Sequence, residues 1–523
     1  MPRRPLAPAF LAPAFLAPAF LALALLALPA AAQEHGGQTG KAATAAAATE
    51  QLPADKVVTS DHVVQVEGRP LAYRATAGSL AAGEDGGAEV RLFYVAYHLK
   101  DARPGSRPVT FAFNGGPGAA ALYLQLGALG PRRLVFNPDG SIAAPQAQLA
   151  DNPETWLAFT DLVFVDPVGT GFSRPAKEDD RSYWGTRKDL DTLARFIRLY
   201  LTRNDLWLAP KYLVGESYGG FRAAALADLL PSDYGIRLAG AIMLSPVLEF
   251  SLIDEDSFAV LPWALRLPSY AAVAAARGRS ALPAPAPGTD PRAALGEVEG
   301  FALGDYLVGP AQGDALPPAR AAALWQRLAA YAGLPAETVA RDRGRVPSRE
   351  FAKALLRDRG RVLSPYDGSF DLADPNPASA VARGDDPLLM LVTAELSAAF
   401  NAYLRDELRF DSDLQYQALN REVSRRWDWQ AGGAGQGYLG AADDLKHALT
   451  VSPGFRVLIA HGLYDLVTPW ATSAYVVRQM HLDPAARARV TLATYPAGHM
   501  VYTHDAARTA FWRDAAAFYR AAP

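Results

Sequence analysis

The 523-residue chain is 50% hydrophobic and 20% charged, and its formal net charge at pH 7 is -3. This balance lacks the basic surface that nucleic acids or anionic membranes require, so we expect neither nucleic-acid binding nor stable membrane association. The absence of cysteine excludes disulfides and thiol nucleophiles, and the eight histidines form no metal-binding motif, so we expect no metal and no other cofactor.

The N-terminus has the order of a secretory signal: two arginines, a long apolar stretch and small residues that end at Ala32. We therefore predict a cleaved signal peptide over 1–32, a flexible leader over 33–55, and export to the periplasm or the medium. A membrane anchor is the alternative, because the apolar stretch is long enough to span a bilayer, although the prolines of its repeated LAPAF unit weaken a continuous helix.

The folded part is expected to begin near Val57. Two runs with the alternation and β-branched residues of strands follow, HVVQVEG (62–68) and EVRLFYVAYHLK (89–100), with a glycine-rich stretch between them. They predict an opening antiparallel pair of strands.

A series of short apolar runs then predicts the main sheet. Each run ends in a polar residue or glycine and precedes a helical pattern; the runs are VTFAFNGG (109–116), DLVFVDPVGTG (161–171), KYLVGES (211–217), GAIMLSP (240–246), RVLIAHGLYD (456–465) and VTLATYPAGH (490–499). Strands that are apolar on both faces belong to a sheet covered by helices on each side. We therefore predict an α/β fold whose mostly parallel sheet carries its chemistry at the carboxyl ends of the strands.

A long stretch rich in Ala, Arg and Leu separates the fourth of these runs from the fifth. Its helical patterns and Pro/Gly punctuation predict a helical cap inserted at 251–435. The core is then divided into a first half, 56–250, and a second half, 436–523. A cap over this edge of the sheet would shape substrate access.

The sequence GESYGG places Ser217 in a G-x-S-x-G frame, directly after a buried strand and before a helix. This is the context of a nucleophile elbow, in which glycines leave room for a sharp strand-to-helix turn. A chance turn is the alternative for so short a motif, but the flanking strand and helix favour Ser217 as a nucleophile.

A serine nucleophile needs a base and an acid that orients it, which on this architecture follow in the order Ser, Asp, His. Asp465 and His499 each stand at the end of a predicted strand in the second half. His461 precedes the aspartate and His504 falls on the next helix, so both are weaker candidates for the base. For any single histidine, a structural hydrogen-bonded role remains the alternative.

The glycine-rich loop FNGGPG, residues 113–118, follows the first long buried strand. Its backbone N–H groups are placed to stabilise a developing oxyanion, and the second donor would be the N–H of Tyr218, directly after the nucleophile. A tight turn that merely requires glycine is the alternative.

Together, FNGGPG, LGALGP, NPETW, VDPVGTGFS, GESYGG, the strand-end Asp465 and AGHM resemble the serine carboxypeptidase family, and within it the bacterial branch. The similarity covers roughly residues 57 to 250 and 436 to 520. It implies an α/β-hydrolase fold with a helical cap and the release of C-terminal residues from peptides through an acyl-enzyme intermediate. Substrates would be peptides with a free C-terminus, and the oligomeric state is left open.

The resemblance also implies roles for individual residues. Ser217 is the nucleophile, His499 the base and Asp465 its orienting acid, while Gly116 and Tyr218 supply the oxyanion N–H groups. Asn114, the N–H of Gly115 and the Glu216 carboxyl would hold the terminal carboxylate of the substrate.

The role implied for Glu216 requires a protonated carboxyl, because an ionised one would repel the substrate carboxylate. In the family a second glutamate shares this proton, but the corresponding position here is Ala128, and Ala112 replaces an aromatic residue two positions before Asn114. A serine esterase or acyltransferase on the same scaffold is therefore an alternative. A non-catalytic binding protein is a further one, although no element of the triad is missing.

Overall fold

The computed structural model describes residues 56–84, 87, 89–142, 147–177, 180–283, 292–429 and 439–521. The predicted signal peptide and flexible leader lie outside these residues.

Strands of the described chain form one large sheet and two small hairpins. In chain order they are β1 Val57–Val66, β2 Arg69–Ala81, β3 Val90–Leu99, β4 Val109–Phe113, β5 Arg132–Leu134, β6 Leu149–Asp151, β7 Asp161–Val165, β8 Arg174–Pro175, β9 Lys211–Glu216, β10 Gly240–Leu244, β11 Arg361–Leu363, β12 Asp371–Ala373, β13 Arg456–Gly462 and β14 Val490–Tyr495. The large sheet has the order β1-β2-β3-β7-β4-β9-β10-β13-β14, with the short β8 beside β3. From β7 to β14 all neighbours are parallel. The predicted α/β fold with a mostly parallel sheet is confirmed.

The opening antiparallel part differs from the predicted pair. β1 pairs with β2, and β2 in turn pairs with β3, so the two predicted strands are not neighbours. The intervening strand β2 begins with Arg69 and Pro70 and is rich in alanine, which conceals its strand character. The direct pairing expected from the sequence was therefore wrong.

Both faces of the parallel strands are buried except in the edge strand β14, and alternate residues enter different cores. In β13, Val457 and Ile459 belong to one hydrophobic cluster, whereas Leu458 and Ala460 belong to the other. This period of two is what a sheet between two helical layers requires.

Helices cover these faces and fill the segment between β10 and β13. They are α1 Leu122–Leu124, α2 Thr186–Arg203, α3 Tyr218–Tyr234, α4 Leu261–Ala276, α5 Gly296–Leu303, α6 Asp305–Ala311, α7 Pro318–Ala332, α8 Ala336–Arg341, α9 Ser348–Ala354, α10 Pro387–Asp406, α11 Arg421–Arg425, α12 Ala442–Val451, α13 Trp470–Gln479, α14 Pro484–Arg487 and α15 Asp505–Arg520. The stretch predicted as an inserted cap holds α4 to α11 and the β11–β12 hairpin. The described residues belong to one compact unit.

Among the described residues, α10 is the one helix long and apolar enough to cross a membrane. Its side chains Val392, Leu396 and Phe400 are fully buried in the core that also contains residues of β1 to β3. One face of α10 is therefore accounted for by packing within the protein, whereas Met390 and Leu391 are exposed.

Candidate active site

Ser217 occupies a strained turn between β9 and α3, with φ 60° and ψ -121°. Such a conformation is rare for a residue with a side chain, and it is typical of a nucleophile elbow. A Cβ atom on Gly215 would lie 1.8 Å from the carbonyl oxygen of Gly219, and one on Gly219 would lie 2.4 Å from that of Phe113. The two glycines of the motif are therefore required by close backbone contacts.

The loops after β13 and β14 bring Asp465 and His499 together. His499 Nδ1 lies 2.7 Å from Asp465 Oδ2, and both residues are buried. The other carboxylate oxygen, Oδ1, accepts hydrogen bonds from the backbone N–H groups of Val467 at 2.8 Å and Thr468 at 3.0 Å. Burial alone would lower the pKa of His499, but the charge and hydrogen bond of Asp465 outweigh it and raise this pKa.

Ser245 joins the nucleophile turn to the histidine loop. Ser217 donates its backbone N–H to Leu244 at 2.9 Å, and the adjacent Ser245 hydroxyl donates to the His499 carbonyl at 2.8 Å. The Thr468 hydroxyl lies 2.9 Å from the Ser245 carbonyl and 2.6 Å from Asp465 Oδ2. Ser217, Asp465 and His499 thus share one edge of the sheet.

No hydrogen bond joins the Ser217 hydroxyl to His499 within the described part of the chain. Bonds of this kind are often long in a free enzyme and tighten only with substrate. Ser217 is partly exposed, so a substrate can reach it, whereas His499 is buried.

The two competing histidines have other partners. His461 Nε2 lies 2.9 Å from the Ser473 hydroxyl, and burial lowers the pKa of His461 to about 4. His504 Nε2 lies 2.7 Å from Asp367 Oδ2. Neither is hydrogen-bonded to Asp465 in the residues that the structure describes.

The predicted oxyanion donors lie against the nucleophile turn. A Cβ atom on Gly115 would be 2.5 Å from the N atom of Tyr218, so the glycine loop and the elbow are in direct contact. Within the described residues, the backbone N–H groups of Gly116 and Tyr218 have no hydrogen-bond acceptor. Free N–H groups at this point can stabilise negative charge on a substrate oxygen.

A buried ion pair that the sequence did not reveal stabilises the glycine-rich loop of residues 113–118. Arg222 of α3 is fully buried, and its guanidinium binds Asp189 of α2 at 2.7 Å and 3.2 Å. Arg222 Nη1 also donates to the Asn114 carbonyl at 2.5 Å. Only its position one turn after the nucleophile could have suggested this role, and helix patterning gives no hint that an arginine there is buried.

The VDPVGTG segment supports the same loop through Asp166. Its Oδ1 accepts hydrogen bonds from the N–H of Ala121 at 2.8 Å and from the Tyr416 hydroxyl at 3.2 Å. Burial raises the pKa of Asp166 to about 7. The motif therefore links the loop after β4 to the loop after β7 and to the segment after α10.

Glu216 lies at the end of β9 and is buried. Burial raises the pKa of its carboxyl to about 7, while His499, Tyr502 and Asn114 act in the opposite direction. The structure thus brings Asn114 and Glu216 together beside the nucleophile. Ala128 places no carboxyl there; its carbonyl accepts a hydrogen bond from the Asn152 amide at 2.7 Å.

A cavity of about 690 Å³ lies between the loop after β13 and the segment predicted as a cap, and Ser217, Asp465 and His499 are not among its lining residues. Its walls include Leu466 and Val467 from the core and Tyr366 from the turn between β11 and β12. The Tyr366 ring also meets the His499 ring edge-to-face, with centroids 5.0 Å apart. The described residues contain no cluster of three or more His, Asp or Glu side chains that could hold a metal ion.

Part of this chain is similar to serine carboxypeptidases. A family model described as serine carboxypeptidase matches residues 67–246. Serine carboxypeptidase-like 8 of Arabidopsis thaliana is 30% identical over 190 residues, which are 34% of this chain and 41% of that protein. Serine carboxypeptidase-like 44 of the same plant is 28% identical over 216 residues, 39% of this chain and 42% of the relative. The chain therefore spans less than half the length of these relatives.

Among solved structures, a serine hydrolase from Cycloclasticus zankles is 12% identical with a TM-score of 0.35, covering 85% of this chain and 98% of that one. This score is too low to support an argument about function. The family match contains the NGGPG loop and Ser217 and ends before Asp465 and His499. The proximity of these last two residues is therefore known from the structure alone.

Proposed function

We propose that this chain, whose residues 67–246 match the serine carboxypeptidase family model, is an exported peptidase that releases C-terminal residues from peptides. The observation that carries the proposal is the buried Asp465–His499 pair, 2.7 Å apart, at the same edge of the sheet as the strained Ser217. Export rests only on the pattern of the N-terminal sequence.

In the proposed mechanism, His499 accepts the proton of the Ser217 hydroxyl as the oxygen attacks the carbonyl carbon of the last peptide bond. The N–H groups of Gly116 and Tyr218 bind the resulting oxyanion. The protonated His499 then gives its proton to the departing amine, and the C-terminal amino acid leaves. Water, deprotonated by His499, next attacks the acyl-enzyme ester, which releases the shortened peptide and restores Ser217.

The terminal carboxylate of the substrate would be held by Asn114, the N–H of Gly115 and Glu216. Glu216 can donate a hydrogen bond to it only when protonated, and the pKa of about 7 makes this form well populated at and below neutral pH. Above that pH an ionised Glu216 repels the carboxylate. KM for peptides with a free C-terminus should therefore rise as the pH increases through this pKa.

A serine esterase is the second candidate, and Ala128 is the observation that favours it. Without a carboxyl at this position, the site has one group fewer that could help to bind the terminal carboxylate of a peptide. The same Ser217, Asp465 and His499 would then cleave an ester, because the triad does not define the acyl group.

Blocked dipeptides with a free C-terminus separate the two candidates when they are compared with their amides and with simple aryl esters. The expected result is a kcat/KM for the free acid at least about 100-fold above that of the amide, since loss of a charged hydrogen-bonding group typically costs about 3 kcal/mol. Equal turnover of acid and amide would refute the carboxypeptidase proposal. Rapid turnover of esters alone would favour the esterase.

A further inference from the structure

Two buried oxygen atoms beside the nucleophile have no hydrogen-bond partner in the described part of the chain. One is Oε2 of Glu216 and the other is the hydroxyl oxygen of Tyr502. The two side chains interact, since Tyr502 lowers the pKa of Glu216 and Glu216 raises the pKa of Tyr502, but no hydrogen bond of regular geometry joins them. Buried polar groups are nearly always paired in folded proteins, so this unpaired couple indicates a site that a substrate completes.

Tyr502 packs against the segment that lacks the second carboxyl. Its ring lies over Gly127, where an added Cβ atom would be only 2.4 Å from Tyr502 Cε2. Gly127 precedes Ala128, the residue at which a second carboxyl is missing. The fully buried phenol therefore fills the space over the Gly127–Ala128 segment.

We propose that Tyr502 is the positioning residue of the carboxylate-binding site, in place of a second carboxyl at position 128. In the substrate-bound enzyme its hydroxyl donates a hydrogen bond to one oxygen of Glu216, and the other oxygen, which carries the proton, donates to the terminal carboxylate of the substrate. This inference rests on the proposed function, since it gives Glu216 a substrate carboxylate to bind.

The groups that face Glu216 determine how the pair responds to pH. His499 favours the ionised form of Glu216, and Asp465 opposes it. Asn114 is uncharged and donates from the loop after β4, and the hydroxyls of Tyr123 and Tyr366 come from α1 and from the turn after β11. Both of these phenols have raised pKa values from burial, so they are neutral at the pH values concerned.

The Tyr502 hydroxyl donates most strongly to a carboxylate anion, so it lowers the pKa of Glu216 against the effect of burial. The Tyr502 hydroxyl therefore keeps the pKa of Glu216 near neutrality and fixes the orientation of the Glu216 carboxyl. Removing the hydroxyl should raise the pKa of Glu216, which then remains protonated, and able to bind the substrate, to a higher pH.

The test is the pH dependence of kcat and KM for a blocked dipeptide with a free C-terminus, over roughly pH 5 to 9. In Tyr502→Phe we expect the pH at which KM begins to rise to increase by about one unit, because one hydrogen bond to the Glu216 anion is lost. KM at low pH should increase, since Glu216 is less well oriented, while kcat stays close to that of the unmodified enzyme. Tyr123→Phe is the matched control, because the Tyr123 hydroxyl bonds Thr393 at 2.7 Å, and its KM profile should not move.

Glu216→Gln distinguishes failure of this inference from failure of the proposed function. Gln cannot ionise, so its KM should be independent of pH, and adding Tyr502→Phe to it should produce no further shift. A KM profile in Glu216→Gln identical to that of the unmodified enzyme would refute carboxylate binding by Glu216. A flat profile in Glu216→Gln together with an unshifted one in Tyr502→Phe would refute only the role of Tyr502.

Discussion

Ser217→Ala is expected to abolish covalent labelling by a fluorophosphonate and to lower kcat by about 10⁶-fold, as removal of a triad serine does elsewhere. The reason is that, among the described residues, no other hydroxyl combines the strained turn, partial exposure and the neighbouring Gly116 and Tyr218 N–H groups. Because alanine is smaller than serine and the turn is fixed by its glycines, the variant should still fold.

Labelling followed by intact-protein mass spectrometry measures this effect. Ser473→Ala is the matched control, since Ser473 is also hydrogen-bonded to a histidine, His461, but is buried. It should be labelled like the unmodified protein. Labelling that persists in Ser217→Ala would disprove the nucleophile.

Asp465→Asn should lower kcat by about 10⁴-fold with little change in KM, the size of the loss for the same substitution in a serine protease triad. The amide oxygen of the new side chain would keep the two backbone hydrogen bonds that Oδ1 of Asp465 accepts from Val467 and Thr468. Its NH₂ group would then face His499 Nδ1 and donate to it. The imidazole would be held in the tautomer with a proton on Nε2, which cannot accept the serine proton.

A second aspartate–histidine pair offers the control for this prediction. Asp367 and His504 lie 2.7 Å apart, so Asp367→Asn makes the same chemical change outside the triad. It should retain most of the activity. A kcat for Asp465→Asn near that of Asp367→Asn would contradict the assigned role of Asp465.

In the unmodified enzyme, kcat should fall as the pH decreases through the pKa of His499, which Asp465 raises, because protonated His499 is not a base.

The parallel part of the fold could be predicted because each of its strands is apolar on both faces and ends in a polar residue or glycine. Gly215 and Gly219 also carry a local signal, since backbone contacts exclude any larger residue. Asp465 and His499 were identifiable from their order along the chain and their place at strand ends. Their proximity is observed in the structure, and their catalytic roles remain predictions.

Features that depend on contacts between distant segments could not be predicted. β2 was missed because its alanines and its initial Arg69 and Pro70 obscure the alternation of a strand. Arg222 looks like a surface residue of a helix until α2 supplies Asp189. Tyr502 looks like one more core aromatic, and only the structure shows that its ring lies over Gly127 and that its buried hydroxyl has no hydrogen-bond partner among the described residues.

The central claim is that the triad releases residues from a free peptide C-terminus, and a peptide-library digest read by mass spectrometry tests it most directly. We expect products that are shortened from the C-terminal end, first by a single residue, and no such products with Ser217→Ala or with C-terminally amidated peptides. Internal cleavage, or equal trimming of free and amidated peptides, would contradict the account.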